Sequence, residues 1–303
     1  MNDVLYQYIS ELVGSENILQ NEPMKNHTTF RIGGEAECLL KVPGQEELIE
    51  LLKCFHRLDA TYYVIGNGSN ILVGDKGIPG IVLSTSEHMN RLSVDGERIT
   101  VEAGERLSRV AAVAKEQGLS GMEFAAGIPG TVGGAIVMNA GAYDGEMKQI
   151  VECVRVVSAE GEVLELDNET MEFGYRTSII KDRPFIVLEV VLRLKRGSKE
   201  EIKAKMDDFA ARRREKQPLE YPSAGSTFKR PEGQFAGKLI MDAGLRGFRV
   251  GGAQVSEKHC GFVINVGGAT AADVVEVMEE VKEQVKDRFN VELEPEIILL
   301  GEF

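Results

Sequence analysis

Ala125-Ala-Gly-Ile-Pro-Gly-Thr-Val-Gly-Gly-Ala-Ile-Val-Met-Asn-Ala-Gly-Ala-Tyr143 contains five glycines (127, 130, 133, 134, 141) and five alanines, and no charge before Asp144. A solvated linker would carry charge or serine and would lack Val, Ile and Met. Side chains this small let the backbone press closely against something large. Glycine also permits the positive-φ turns that aim successive amide N–H groups at an anion. One or two such glycines read as a packed core turn. At this density, beside Pro129 and Asn139, the stretch reads as one wall of a site for a phosphate-bearing ligand.

A second loop, Gly66-Asn-Gly-Ser-Asn-Ile-Leu72, follows the predicted strand Tyr62–Ile65. It opens like a dinucleotide fingerprint, but Ile71 stands at the third glycine position and Asp75-Lys-Gly-Ile-Pro79 turns where a helix should continue. No Gly-x-x-x-x-Gly-Lys-Ser/Thr is present, which excludes a P-loop. Gly68, Ser69 and Asn70 offer backbone N–H groups, a hydroxyl and an amide, all suited to a pyrophosphate. Two such loops, about sixty residues apart, are expected to converge on a ligand with a nucleotide half and a second half to be buried.

The 303 residues suffice for two or three domains. The net charge of −13 argues against general nucleic-acid binding. Between Arg212 and Lys258, however, ten Lys or Arg face five acids, an excess that suits a small polyanion. For Arg212-Arg-Arg214 alone, a solvated helix face fits equally well. No apolar run approaches the ~20 residues of a membrane span. The first residues show no basic and apolar leader pattern, so no secretion signal is expected, and Cys38, Cys54, Cys153 and Cys260 lack metal spacing. A cytoplasmic protein with four reduced, buried thiols is expected.

Helical periodicity marks Gln45–Leu58, Arg106–Gln117, Ser198–Lys216 and Thr270–Phe289, the last two opening on capping-box-like sequences. Strands are predicted at Cys38–Val42, Tyr62–Ile65, Ile81–Leu83, Ile99–Val101, Val151–Ser158, Phe185–Leu194, Phe262–Asn265 and Glu296–Leu300. Their irregular mixture predicts an α+β fold.

Together the two glycine loops and Asn139-Ala-Gly-Ala142 resemble the FAD-binding domain of vanillyl-alcohol-oxidase (PCMH) type flavoproteins. More narrowly, the chain resembles the UDP-N-acetylenolpyruvoylglucosamine reductase (UDP-N-acetylmuramate dehydrogenase) family. Asn26-His-Thr-Thr-Phe-Arg-Ile-Gly-Gly34, Gly174-Tyr-Arg-Thr-Ser178, Ala224-Gly-Ser-Thr-Phe-Lys229, Gly251-Gly-Ala-Gln-Val-Ser256 and Leu293-Glu-Pro-Glu296 carry that likeness nearly end to end. The resemblance implies a two-part FAD-binding domain and a smaller C-terminal α+β substrate domain. The expected divisions are 1–82 with 291–303 returning to it, 83–217, and 218–290. Arg193–Gly197 runs directly into a helix, so the chain resembles the family's shorter, second type, which lacks an extra tyrosine-bearing loop.

In that family, non-covalent FAD takes a hydride from NADPH and delivers it to the enolpyruvyl ether of UDP-N-acetylglucosamine enolpyruvate, giving UDP-N-acetylmuramate for peptidoglycan synthesis. By motif position the resemblance implies FAD contacts at Gly66, Asn67, Gly68, Ser69, Asn70, Gly127, Pro129, Gly130, Thr131, Gly133, Gly134, Asn139 and Gly141. It implies catalytic roles for Arg176, Ser226 and Glu296. Tyr175, Gly225, Lys229 and Lys216 are the candidate substrate contacts; a solvated lysine fits Lys216 equally well and Lys229 slightly less well. Arg230 occupies a position where the family often has asparagine. His27 and His259 are expected to make structural hydrogen bonds.

Hydride addition to the β-carbon of a carboxylate-conjugated vinyl ether drives charge into an enediolate-like species, which needs electrophilic support. Arg176 supplies a permanent planar cation. Glu296 helps only if burial keeps it protonated. Ser226 is the expected general acid toward the α-carbon, with relay from neighbouring polar groups or water. Two other readings remain open at this point. An FAD-linked oxidase of small alcohols would use oxygen and a different C-terminal domain, and a non-catalytic nucleotide-binding module would purify colourless.

Overall fold

Ile186–Arg193 reads Ile-Val-Leu-Glu-Val-Val-Leu-Arg, a near-continuous apolar run of the kind a strand shows when both faces are covered. In the computed structural model, which describes residues 3–303, it is the central strand of a five-stranded antiparallel sheet. The order across that sheet is Val163–Asp167, Val151–Val157, Ile186–Arg193, Arg98–Glu102, Leu92–Asp95. Register places Leu166, Val154, Val190, Val101 and Leu92 in one row across all five strands. Helices Leu107–Glu116 and Val132–Val137 cover that face through Leu107, Val110, Ala111, Val132, Ala135 and Ile136. Val187 joins that face while Ile186 and Leu188 point the other way, and a β-bulge at Leu188, between the pairs Val187–Val156 and Glu189–Arg155, is what brings Val187 and Val190 to one side. Ile186 and Leu188 join a second core with Leu48, Leu51, Leu52 and Phe55 of helix Gln45–Leu58.

These elements belong to the first of two units, made of residues up to Gln20 with Cys38–Asn67 and Gly80–Arg212. Within it Tyr62–Ile65 pairs in parallel with Ile81–Ser84. The second unit comprises Asn21–Glu37, Gly68–Pro79 and Arg213–Phe303. Its core forms where Val274, Val277, Val281 and Val285, one stripe of helix Ala271–Phe289, meet the antiparallel strands Arg249–Val250, Ala253–Val255 and Val263–Asn265. Phe30 and Leu72 are buried in the same core. The C-terminal strand Ile298–Leu300 pairs in parallel with Ile71–Val73. No helix among the described residues is long and apolar enough to cross a membrane.

The four helices predicted from periodicity are present, as Gln45–Leu58, Leu107–Glu116, Lys199–Lys216 and Ala271–Phe289. The Thr270 box forms in both directions: Thr270 Oγ1 accepts from Asp273 N at 3.0 Å, and Asp273 Oδ2 accepts from Thr270 N at 3.1 Å. Asp273 also accepts from Gly252 N, and that bond is the first cause holding its carboxyl below the usual range. Asp75 adds a second carboxylate at this terminus, accepting from Ala271 N and Ala272 N. The Ser198 start forms one half of its box, with Ser198 Oγ accepting from Glu201 N at 3.4 Å.

Asp273→Ala is expected to cost about 1 kcal/mol of stability at neutral pH. Because the folded pKa lies below the unfolded one, this stabilisation is complete above the unfolded value of about 3.9 and fades as pH falls through the folded value. The gap in thermal midpoint between wild type and variant should therefore close with acidification from pH 6 to below pH 3. A gap independent of pH over that range contradicts the assignment.

Candidate functional site

The glycine-rich stretch is anchored on one side and bare on the other. Val132 N donates to Glu105 O at 2.8 Å and Gly133 N to Ala103 O at 2.7 Å, fixing the start of helix Val132–Val137. Phe124, Ala125, Val132, Ala135 and Ile136 are buried, whereas Gly127, Pro129 and Gly134 are exposed. A Cβ on Gly134 would have only Thr131 Oγ1 within 4 Å, at 3.6 Å. The expected left-handed turns fall elsewhere. Gly133, Gly134 and Gly141 lie outside that region, and Asn139 (φ 40°) and Tyr143 (φ 53°) occupy it. The glycines thus serve close approach and an uncovered backbone surface, which corrects the reading of them as positive-φ turns.

Within the first unit the two loops meet. Asn67 Nδ2 donates to Pro129 O at 2.6 Å, and a Cβ on Gly66 would lie 2.2 Å from Thr131 Oγ1. Glycine is required at 66 because the loops touch there. This bare, small-residue surface, with a side-chain amide and a hydroxyl at its edge, fits the diphosphate of FAD. Gly68, Ser69 and Asn70 fall in the second unit. Gly68 has φ 60°, and a Cβ there would sit 2.0 Å from His27 O. The Asn26–Gly34 motif therefore acts as the bed for Gly68, a part that the sequence did not disclose.

Arg176 occupies the corner of a tight turn. Gly174 and Thr177 exchange backbone hydrogen bonds of 3.1 and 3.4 Å, and Arg176 itself sits at φ 55°. Three bonds tie this turn to the glycine-rich stretch. Asn139 Nδ2 donates to Gly174 O at 2.9 Å, Arg176 Nη2 to Gly141 O at 3.3 Å, and Ser178 Oγ to Val137 O at 3.0 Å. Asn139 is buried, and its amide also reaches Glu146 while its carbonyl oxygen accepts from Lys148 N. Its side chain is thus engaged by protein groups on both ends. Tyr175 is 53 % exposed, its ring centroid 5.1 Å from the Arg176 guanidinium carbon.

In the second unit, Ser226, Asn70 and Glu296 are linked through backbone. Glu296 N donates to Thr227 O at 2.8 Å, Lys229 N to Glu294 O at 2.8 Å, and Phe228 bridges Pro295. Asn70 Nδ2 donates to Glu296 O at 3.2 Å, and Ile298 N to Asn70 O at 2.9 Å. Thr227 is pinned from its other side by Val263 N on its hydroxyl and by its own N–H to Gly261 O. Ser226 and Glu296 are both half-buried. Gly225, at φ 79°, has nothing within 4 Å of where a Cβ would stand, leaving space beside Ser226.

Lys229 Nζ lies 2.9 Å from the carboxylate of Glu294. Lys216 ends helix Lys199–Lys216 on an exposed position. Much of the basic excess is matched locally: Arg212 with Asp208, Lys238 with Asp242, Lys258 with Glu220. Arg230 stacks over Phe235 at 4.3 Å. His27 Nε2 is 2.8 Å from Glu22, and His259 Nδ1 accepts from Gly261 N, the structural roles expected of them. Burial holds His259 below the ordinary imidazole range. Cys38, Cys54 and Cys260 are buried as expected, but Cys153, on the strand next to the sheet edge, is only half-buried; partial burial still pushes its thiol up to about 11.

An FAD-binding domain family matches residues 36–167, and the family of the UDP-N-acetylenolpyruvoylglucosamine reductase C-terminal domain matches residues 217–300. The chain is 51% identical over 303 residues to UDP-N-acetylenolpyruvoylglucosamine reductase of Caldanaerobacter subterraneus, covering 100% of both. The crystal structure of UDP-N-acetylenolpyruvylglucosamine reductase from Thermus caldophilus aligns with a TM-score of 0.80 at 38% identity, over 93% of this chain and 98% of that one. An alkyldihydroxyacetonephosphate synthase shares the fold only, at 15% identity and TM-score 0.51 over 65% of this chain and 41% of its own. The α+β architecture, an FAD-binding domain followed by the reductase family's C-terminal domain, is thereby established. A match that spans both domains at such identity reaches beyond a shared flavin fold: the chain belongs to the UDP-N-acetylenolpyruvoylglucosamine reductase family.

Proposed function

We propose that this protein reduces UDP-N-acetylglucosamine enolpyruvate to UDP-N-acetylmuramate at the expense of NADPH, a cytoplasmic step of peptidoglycan precursor synthesis. The observation that carries this reading is the match to reductases of that name over the full length of both chains. FAD, when bound, would supply the two-electron hydride chemistry that links NADPH to the vinyl ether. The segments 66–70, 127–134 and 139–141 would hold it without a covalent bond, through the uncovered backbone at Gly127, Pro129 and Gly134 in particular, with Asn139 fixing the turn.

Arg176 stabilises the negative charge that develops on the substrate carboxylate, and Glu296, in its protonated form, donates a hydrogen bond to the same group. Ser226 delivers the proton to the α-carbon. Tyr175, Gly225, Lys229 and Lys216 are our substrate-contact assignments. Lys229 must exchange its Glu294 partner for the diphosphate or carboxylate of the ligand. We assign flavin binding to residues 1–82 with 291–303 and to 83–217, and substrate binding to 218–290.

If NADPH and the UDP-sugar use one flavin in turn, initial rates at varied NADPH and fixed UDP-sugar concentrations give parallel double-reciprocal lines. Intersecting lines overturn the alternating order.

A further inference from the structure

Gly141–Ala142 and Gly145–Glu146 form a minimal hairpin whose corner residues are Tyr143 and Asp144. Both are at positive φ, 53° and 63°. Glycine and asparagine favour such corners, because a Cβ crowds the following carbonyl in the left-handed region. A tyrosine in that conformation has to be held there by something outside the turn.

The hold is visible. The Tyr143 ring stacks on Phe209 with centroids 4.4 Å apart and planes 10° from parallel, and the Tyr143 hydroxyl donates to Phe209 O at 3.2 Å. Phe209 belongs to helix Lys199–Lys216, which is strongly polar and packs through few residues, Ile202 among them buried and Met206 and Phe209 against the sheet core. An offset aromatic pair of this kind is directional as well as apolar, so it fixes the ring rather than merely covering it.

The clamped hairpin leads directly to Arg176. Gly141, which precedes the corner, presents the carbonyl that receives Arg176 Nη2 at 3.3 Å. Its cross-strand partner Glu146 accepts from Asn139, and Asn139 holds Gly174 O at the base of the Arg176 turn. We propose that Tyr143 is a positioning residue: by stacking on Phe209 it fixes the hairpin whose Gly141 carbonyl aims the Arg176 guanidinium. The proposal rests on the reading of Arg176 as the group that stabilises charge on the substrate.

The test follows the two half-reactions separately in flavin-loaded protein, with NADPH first and UDP-N-acetylglucosamine enolpyruvate second, under anaerobic conditions. Tyr143→Leu and Phe209→Ala are each expected to slow recolouring by the UDP-sugar about tenfold or more, since small misplacements of a catalytic group are costly, while bleaching by NADPH changes less than about threefold. Tyr143→Phe, which keeps the stack, recovers most of the loss. Tyr143→Gly, which suits the turn but has no ring, stays slow. In an Arg176→Lys background, Tyr143→Leu adds less than about twofold, because both changes act through one group.

Equal slowing of both half-reactions, full additivity with Arg176→Lys, or normal recolouring by Tyr143→Leu overturns the proposal. If Arg176→Lys itself recolours normally, the reading of Arg176 fails. A slow Arg176→Lys beside a normal Tyr143→Leu removes Tyr143 alone. Should Tyr143→Leu lose its flavin, Phe209→Ala removes the same stack from the helix side and is judged by the same criteria.

Discussion

Ser226→Ala protein, loaded with FAD and mixed anaerobically with NADPH, is expected to bleach normally and then to recolour with the UDP-sugar about 10³-fold more slowly than wild type, the scale of a lost general acid. The surrounding backbone makes this substitution clean. Thr227, the next residue, is fixed by Glu296 N on its carbonyl, by Val263 N on its hydroxyl and by Gly261 O on its N–H. Removing one oxygen at 226 therefore leaves the strand pairing in place. Slow protonation of the α-carbon in the variant, with water as the donor, should make that step rate-limiting and give recolouring a clear solvent isotope effect. Recolouring of Ser226→Ala at the wild-type rate removes Ser226 from the rate-limiting proton transfer.

Arg176→Lys is the second large effect. Lysine keeps the charge but loses the planar fork that can meet a carboxylate with two donors. Loss of a preorganised donor at a developing oxyanion costs about 10² to 10³ in rate, and the loss should fall on recolouring. Arg176 sits at φ 55° in its turn. Every L-residue placed there meets the same backbone strain, so Lys, Gln and Met variants share it and their differences report the side chain. Thermal midpoints within a few degrees of one another across the three would confirm that comparison. A Gln variant as fast as wild type contradicts the electrostatic role.

Much of this fold was legible because the signals are local and strong. The valine stripe of Ala271–Phe289 and the apolar run Phe185–Leu194 stand in the letters, whereas the division of Val187 from Ile186 and Leu188 between two cores does not. The short elements were not legible. Helices Val132–Val137 and Ala236–Asp242, with six and seven residues, have too few turns to show a period and exist because tertiary contacts hold them. Ile18–Pro23 and Val163–Asp167 alternate poorly at their sheet margins, the first partly buried and the second mostly exposed.

The site was legible as motifs and not as geometry. Arg176 could be named from Gly-Tyr-Arg, but nothing in the letters showed that Asn139 and Gly141 reach across to that turn. The φ values of Asn139, Tyr143 and Arg176 were equally hidden, since none is glycine. Gly68 was assigned to the ligand, whereas its first requirement is the His27 carbonyl beside it. Motif glycines combine structural and binding demands, and sequence alone does not separate them.

The most direct measurement is the flavin spectrum of the wild-type protein through one complete cycle. Purified protein should be yellow, bleach with NADPH in the absence of oxygen, and regain its absorbance on adding UDP-N-acetylglucosamine enolpyruvate. One equivalent of UDP-N-acetylmuramate, heavier than the substrate by two hydrogens, should appear per flavin. A colourless protein that takes up no FAD, or a bleached flavin that only oxygen can restore, contradicts the account.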